Sequence, residues 1–227
     1  VLMILDKINS PEDLRRLDIE ELRPLCGEIR DYIFRISEDN PGHRASSLGA
    51  VALIVSLHYI FHATKDKQVF DAGHQAYAHK ILTGRKEAFK KNRMPDGISG
   101  FPNRDESEYD AFGAGHASTS ISAALGMAEA AKLSGTGEKV VAMIGDGAMT
   151  GGLALEGLNN AGWEDTDLLV VLNDNDMAID GNKGALHSYL LKLTTDPAYN
   201  RLKTRIREKL GPGKFRNRIQ WFVPKTK

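Results

Sequence analysis

Two apolar runs, each ending in polar, oxygen-bearing residues, constrain this chain more than any other feature. Lys139-Val140-Val141-Ala142-Met143-Ile144 closes on Gly145-Asp146-Gly147, and Asp167-Leu168-Leu169-Val170-Val171-Leu172 closes on Asn173-Asp174-Asn175. Residues 148–160 between them have the length of a helix. Strand, turn, helix, strand in that order is one βαβ unit. In open parallel sheets, ligands sit in the crevice beyond the carboxyl ends of the strands, where both polar groups lie. Asp146 and Asn175 are 29 positions apart, a spacing that lets two oxygen ligands reach one cation.

Mg²⁺ prefers near-octahedral oxygen coordination, usually one or two carboxylates with phosphate oxygens and water. Asp146 offers a charged ligand, Asn175 a neutral amide oxygen, and a backbone carbonyl just beyond Asn175 a third. A diphosphate would add oxygens and lie near the N-terminus of the helix opened by Gly147-Ala148, where free N–H groups and the macrodipole favour anions. The alternative is a plain strand-to-helix turn in which Asp146 is only an N-cap. Histidines also gather beside glycines between predicted elements: Gly42-His43, Gly73-His74 and Gly115-His116. Such imidazoles can neutralise a bound anion or shuttle protons. The competing zinc reading lacks an HExxH motif or cysteine spacing.

Composition narrows the class. With 227 residues the chain can bury a sizeable core, and 30 basic residues balance 30 acidic ones, so no global charge points to nucleic acid. A single cysteine, Cys26, excludes an intrachain disulfide and fits a reducing compartment. It falls on the apolar face of a predicted helix and reads as core filling. No apolar run reaches membrane-spanning length, and the opening residues are too short and uncharged for a signal peptide. A cytoplasmic location is expected. Residues 201–227 hold ten Lys or Arg and one acidic residue, Glu208, which reads as a solvated helix and linker.

Along the chain, Asp18-Ile19-Glu20-Glu21 resembles a capping box, followed by Leu22, Leu25, Cys26, Ile29, Ile33 and Ile36 at helical spacing to about Ser37, with Pro24 early. Further helices are expected over 46–61, 78–90 and 118–133, and a strand over 68–71. Residues 94–110 read as a surface loop. Beyond Asn175, 178–183 reads as loop, with helices over 186–193 and 197–210. The alternation indicates an α/β fold, a parallel sheet with helices on both faces.

Long contiguous motifs make the reading specific. Pro41-Gly42-His43-Arg44-Ala45-Ser46-Ser47-Leu48-Gly49, Asp71-Ala72-Gly73-His74-Gln75-Ala76-Tyr77-Ala78-His79-Lys80-Ile81-Leu82-Thr83-Gly84-Arg85, Glu106-Ser107-Glu108-Tyr109-Asp110 and Gly115-His116-Ala117-Ser118-Thr119-Ser120 occur in order before Gly145-Asp146-Gly147-Ala148-Met149-Thr150. From about Leu5 to Tyr199 the chain resembles the N-terminal part of the 1-deoxy-D-xylulose-5-phosphate synthases, transketolase-like thiamine diphosphate enzymes. The resemblance implies condensation of pyruvate with D-glyceraldehyde 3-phosphate, loss of CO₂, and a product that feeds isoprenoid, thiamine and pyridoxal synthesis.

The same resemblance implies Mg²⁺ held by Asp146, Asn175 and the Met177 carbonyl. Thiamine diphosphate would meet His74, Gly115, His116, Ala117, Gly147, Ala148 and Asn175, and His43 and His74 would serve the chemistry. It implies a diphosphate-binding domain over 1–195, with 196–227 leading toward a pyrimidine-binding domain. That second domain holds the activating glutamate, so this chain is expected to be inactive alone and to form a homodimer or pair with such a domain. The other readings are the diphosphate-binding subunit of a two-chain transketolase-like enzyme, and a non-catalytic interaction module. The sequence departs from the family where Ala117 replaces a serine, Ala52 a glutamate and Arg44 a neutral residue. Arg44 adds a cation beside His43.

Overall fold

The computed structural model describes residues 3–40, 42, 44–164 and 166–174, together with 192, 196, 197 and 201. The elements below belong to a compact unit spanning Val1–Ile179. The expected loop over 178–183, the helices over 186–193 and 197–210 and the boundary near 195 fall outside the described residues or rest on too few of them to follow.

After a short turn at Ile4–Lys7 and helix α1 (Pro11–Arg15), α2 runs over Leu22–Asp39. The Glu21 carboxylate accepts the Asp18 N–H at 2.9 Å, half of the expected capping box. Pro24 lies in the first turn of α2, where its missing N–H has no helical acceptor to lose, so it does not interrupt the helix. Leu22, Leu25, Cys26, Ile29 and Ile33 are buried as one stripe, against α3 (Arg44–Ile60), which buries Ala50, Val51, Ile54, Val55 and Leu57. Burial pushes the Cys26 thiol up to about 11. It stays protonated and fills the core, as expected.

Strand β1 (Lys67–Phe70) follows, then α4 (Tyr77–Lys80), α5 (Ser120–Ser134), β2 (Val140–Gly145), α6 (Asp146–Met149), α7 (Gly152–Glu164) and β3 (Leu168–Asn173). The sheet is parallel in the order β1-β2-β3. Residues 140–144 are each at most 1 % exposed. Successive side chains of a strand point to opposite faces, so both faces of the sheet are covered at its centre. Helix α5 packs on β1 and β2, α7 packs on α5, and the His79 ring of α4 lies 4.7 Å from that of Phe70. Among the described residues no helix is long and apolar enough to cross a membrane.

Two expected helices are broken. The helix over 78–90 stops at Thr83 and Gly84, the latter at φ +83, and resumes as a single turn at Ala88–Lys91. The Thr83 hydroxyl donates to the His79 carbonyl at 2.7 Å, a side-chain bond that competes with the helical ladder. The helix over 148–160 divides into α6 and α7 at Thr150-Gly151, beside two first-turn carbonyls that also accept side-chain hydroxyls. Thr150 Oγ1 donates to Gly147 O and Ser118 Oγ to Ala148 O, both at 2.7 Å.

Helices α5 and α7 touch through small residues. A Cβ on Gly157 would lie 2.6 Å from Ser122 Oγ and 3.1 Å from the Ser122 nitrogen. Gly157→Val is therefore expected to destabilise the fold by about 1–3 kcal/mol through overpacking, read from the urea midpoint. An unchanged midpoint would contradict this close approach.

Candidate active site

Parallel pairing places the carboxyl ends of all three strands on one edge, and the register decides which residues leave it side by side. Gly145 pairs with Asn173 at the end of the ladder, so the chain leaves β2 into Asp146 and leaves β3 into Asp174 from neighbouring strands, which lie about 4.8 Å apart. Asp146 is 9 % exposed. Gly147 and Ala148 are half-buried. Because α6 is a single turn, it has no long-helix dipole to aim at an anion.

His74 follows β1 and is half-buried, with its carbonyl accepting the Ser47 hydroxyl of α3 at 2.6 Å. Gly73 sits at φ +69, and a Cβ there would lie 2.5 Å from the Ala114 carbonyl oxygen. Only glycine lets the β1 loop press so closely on the segment that continues into Gly115, His116 and Ala117. Those three residues are exposed. The bond from Ser118 Oγ to Ala148 O then joins this segment to the turn after β2. The structure thus brings together the segments carrying His74, residues 115–117, Asp146, Gly147 and Ala148.

His43, Asn175 and Met177 lie outside the described residues. Of the expected metal ligands Asp146 alone is described, and among the described residues no group of three or more His, Cys, Asp or Glu could hold a metal ion. Arg44 is exposed at the start of α3, and Ala52 is half-buried within it.

Sequence reasoning assigned no role to a buried polar chain beneath these loops. His58 Nε2 lies 2.9 Å from His79 Nδ1, and His79 Nε2 lies 2.7 Å from Asp110 Oδ1. Arg85 donates to both Asp110 oxygens at 2.7 Å. An ionised carboxylate only accepts, so His79 carries its proton on Nε2 and His58 carries its own on Nε2. Burial holds both imidazoles below their ordinary value, His58 farthest. Burial opposes ionisation of Asp110, but hydrogen bonds from His79 and Arg85 outweigh it and hold the carboxyl well below the usual carboxylate range. Beside it, Lys80 donates to Glu106 at 2.7 Å, and the other Glu106 oxygen accepts the Ser99 N–H at 2.6 Å. The stretch 94–110 is a loop, as expected, but its far end is anchored in the interior. His79, Arg85 and Asp110 stood within the recognised motifs; their shared burial was the signal that a sequence does not display.

A family model described as 1-deoxy-D-xylulose-5-phosphate synthase matches residues 5–227. Curated proteins with that name are similar to this chain. The one from Azobacteroides pseudotrichonymphae is 58% identical over 203 residues, covering 89% of this chain and 32% of the relative. That of Carboxydothermus hydrogenoformans is 58% identical over 200 residues, 88% of this chain and 32% of the relative. That of Bacteroides thetaiotaomicron is 54% identical over 212 residues, 92% and 33% respectively. The chain therefore spans about a third of the length of the curated relatives it matches.

The buried histidine pair sets a pH dependence. In the unfolded chain these imidazoles titrate near 6.5, while in the folded protein they are held lower. Below about pH 6.5 the unfolded state binds more protons, so stability falls as pH falls; above that pH their contribution is constant. Urea midpoints measured from pH 8 to 5 are expected to decline below about 6.5, by up to about 1.4 kcal/mol per pH unit for each histidine. His58→Gln, which keeps a donor for His79, reduces that slope. An equal slope in wild type and variant would contradict a buried neutral His58.

Proposed function

Because the chain belongs to the 1-deoxy-D-xylulose-5-phosphate synthase family, we propose that it forms the diphosphate side of a thiamine diphosphate–Mg²⁺ site. The enzyme would be a cytoplasmic transferase that condenses pyruvate with D-glyceraldehyde 3-phosphate and releases CO₂. What supports this reading most is the convergence of three segments at one edge of the sheet, linked by the Ser118–Ala148 bond and the Gly73–Ala114 approach. Asp146, a nearly buried carboxylate, lies two residues before the Ala148 carbonyl held by Ser118, and the Gly-His-Ala segment just before Ser118 is exposed. A hard oxygen donor next to accessible backbone suits a hydrated divalent cation that shares its coordination with phosphate oxygens.

Asp146 would supply the charged metal ligand, with Asn175 and the Met177 carbonyl as the others. His74, Gly115, His116, Ala117, Gly147, Ala148 and Asn175 would hold the cofactor and balance its charge. Thiamine diphosphate supplies, when bound, the electron sink that lets carbon–carbon bonds break and form at a carbonyl. His43 and His74 would hold and move protons beside the reacting carbon. Residues 1–195 would form this binding unit, and 196–227 a basic segment leading toward the remainder of such an enzyme. The 227 residues by themselves are expected to bind cofactor without turnover.

Helix α7 exposes Leu155, Leu158 and Trp163, and β3 exposes Leu169, the tryptophan at 84 %. This apolar surface supports pairing with a second copy or with a pyrimidine-binding domain.

Calorimetric titration with thiamine diphosphate and MgCl₂ is expected to give heat that depends on both the metal and the diphosphate, with thiamine alone inert. Asp146→Ala should weaken binding at least tenfold while circular dichroism stays unchanged. No heat at millimolar cofactor, or equal affinity in the variant, would sink the reading.

A further inference from the structure

We propose that Asp71 and Ser118 are positioning residues that latch the diphosphate-side segment to the metal-side turn, so that residues 115–117 and 146–148 are set as one unit. The latch rests on the reading of the site given above, and neither residue is among those assigned to the cofactor or the metal. Asp71 is 1 % exposed and Ser118 9 %, and the side chains of both are engaged with backbone groups of neighbouring segments.

Asp71 stands immediately after β1, and its own N–H donates to the Met143 carbonyl at 2.8 Å, which ties it to β2. Its carboxylate serves two backbone groups, one per oxygen: Ser118 N–H at 2.8 Å and Ser120 N–H at 3.0 Å. Ser120 opens α5, and the residue at the N-cap position, Thr119, makes no side-chain cap bond. The first orphan N–H of α5 is thus met by a carboxylate that follows β1. That carboxylate locks the loop end to the sheet.

Ser118 adopts φ +72, a left-handed conformation uncommon for a residue with a Cβ and persisting only where the surroundings over-determine it. Here it is held at both ends, its N–H by Asp71 and its hydroxyl by the Ala148 carbonyl at 2.7 Å. The twisted backbone turns the hydroxyl toward the turn after β2 while residues 115–117 stay at the surface. The same bond fixes the carbonyl of Ala148, two residues beyond Asp146 in the single turn of α6. A shift of either segment is therefore transmitted to the other through the Ser118–Ala148 hydrogen bond.

The two serine variants separate positioning from stability. Ser118→Gly accepts φ +72 without strain and removes the whole hydroxymethyl group; Ser118→Ala removes only the hydroxyl and retains the strain. Without cofactor, Ser118→Gly is expected to melt within about 2 °C of wild type, because relief of strain offsets the lost bond. Its affinity for Mg²⁺–thiamine diphosphate should nevertheless fall about tenfold, the factor expected for one lost hydrogen bond. Amide hydrogen exchange in the cofactor-free chain gives an independent readout. Exchange at Thr150 and Gly151 should rise about tenfold in Ser118→Gly and also in Asp71→Asn, whose amide can no longer accept both N–H groups. Exchange changes confined to residues 118–120 in Asp71→Asn, with Thr150 and Gly151 unaltered in Ser118→Gly, would overturn the latch. If wild type binds no thiamine diphosphate, the functional reading fails and the exchange experiment alone decides the latch.

Discussion

The structure depends on a central parallel strand, β2, buried on both faces and paired on both edges. Such a strand can carry no polar side chain along its length, so polar groups are displaced to its ends. Parallel neighbours also require long crossovers, whose backbone groups must find partners away from the ladder. Two buried aspartates flanking β1 meet part of that demand. Asp66 accepts the N–H groups of Lys139 and His62 at 2.9 and 2.8 Å, while Asp71 accepts those of Ser118 and Ser120. One tidies the amino edge of the sheet and the other the carboxyl edge, where the candidate site lies.

The chain His58–His79–Asp110–Arg85 answers a second demand. Moving ionised groups out of water costs several kcal/mol each unless good geometry restores it. Here the Asp110 oxygens receive His79, both terminal nitrogens of Arg85 and the Asn103 N–H. His58 Nδ1 and Arg85 Nε are left without a hydrogen bond. Together with Lys80–Glu106, the network pins the long irregular stretch that carries the chain from α4 to residues 115–117. Without such anchors this stretch would have only loop backbone to define it, and the Gly-His-Ala segment would lack a firm base.

Much of the fold was legible because it rests on local pattern. The stripe on α2, the apolar α3, the alanine-rich α5 and the runs of β2 and β3 emerge within a residue or two of their expected limits. The failures share one cause. Periodicity extends a helix for as long as side-chain types permit, and it cannot register a hydroxyl thirty residues away that captures the Ala148 carbonyl. Nor could it foresee that Gly84 would turn left-handed within an otherwise helical pattern. In the candidate site, Asp146 and His74 could be nominated from their residue types and positions, and residues 115–117 from the family resemblance of their motif. Asp71 and Ser118 stood in the same motifs, but their partners are backbone groups brought near only by folding.

By itself, then, the sequence determined the family, the α/β class, the order of the elements and which polar types gather at strand ends. Those properties follow from residue identity and short-range spacing, which the chain carries before it folds. Only the tertiary structure decided that α6 is one turn, that Asp110 is an interior anion held by Arg85 and His79, and that the two loops share a hydrogen bond. Each of these depends on groups separated by 25 to 31 positions in the chain, and such pairings are set by how β1 and β2 lie side by side and how the crossover between them returns.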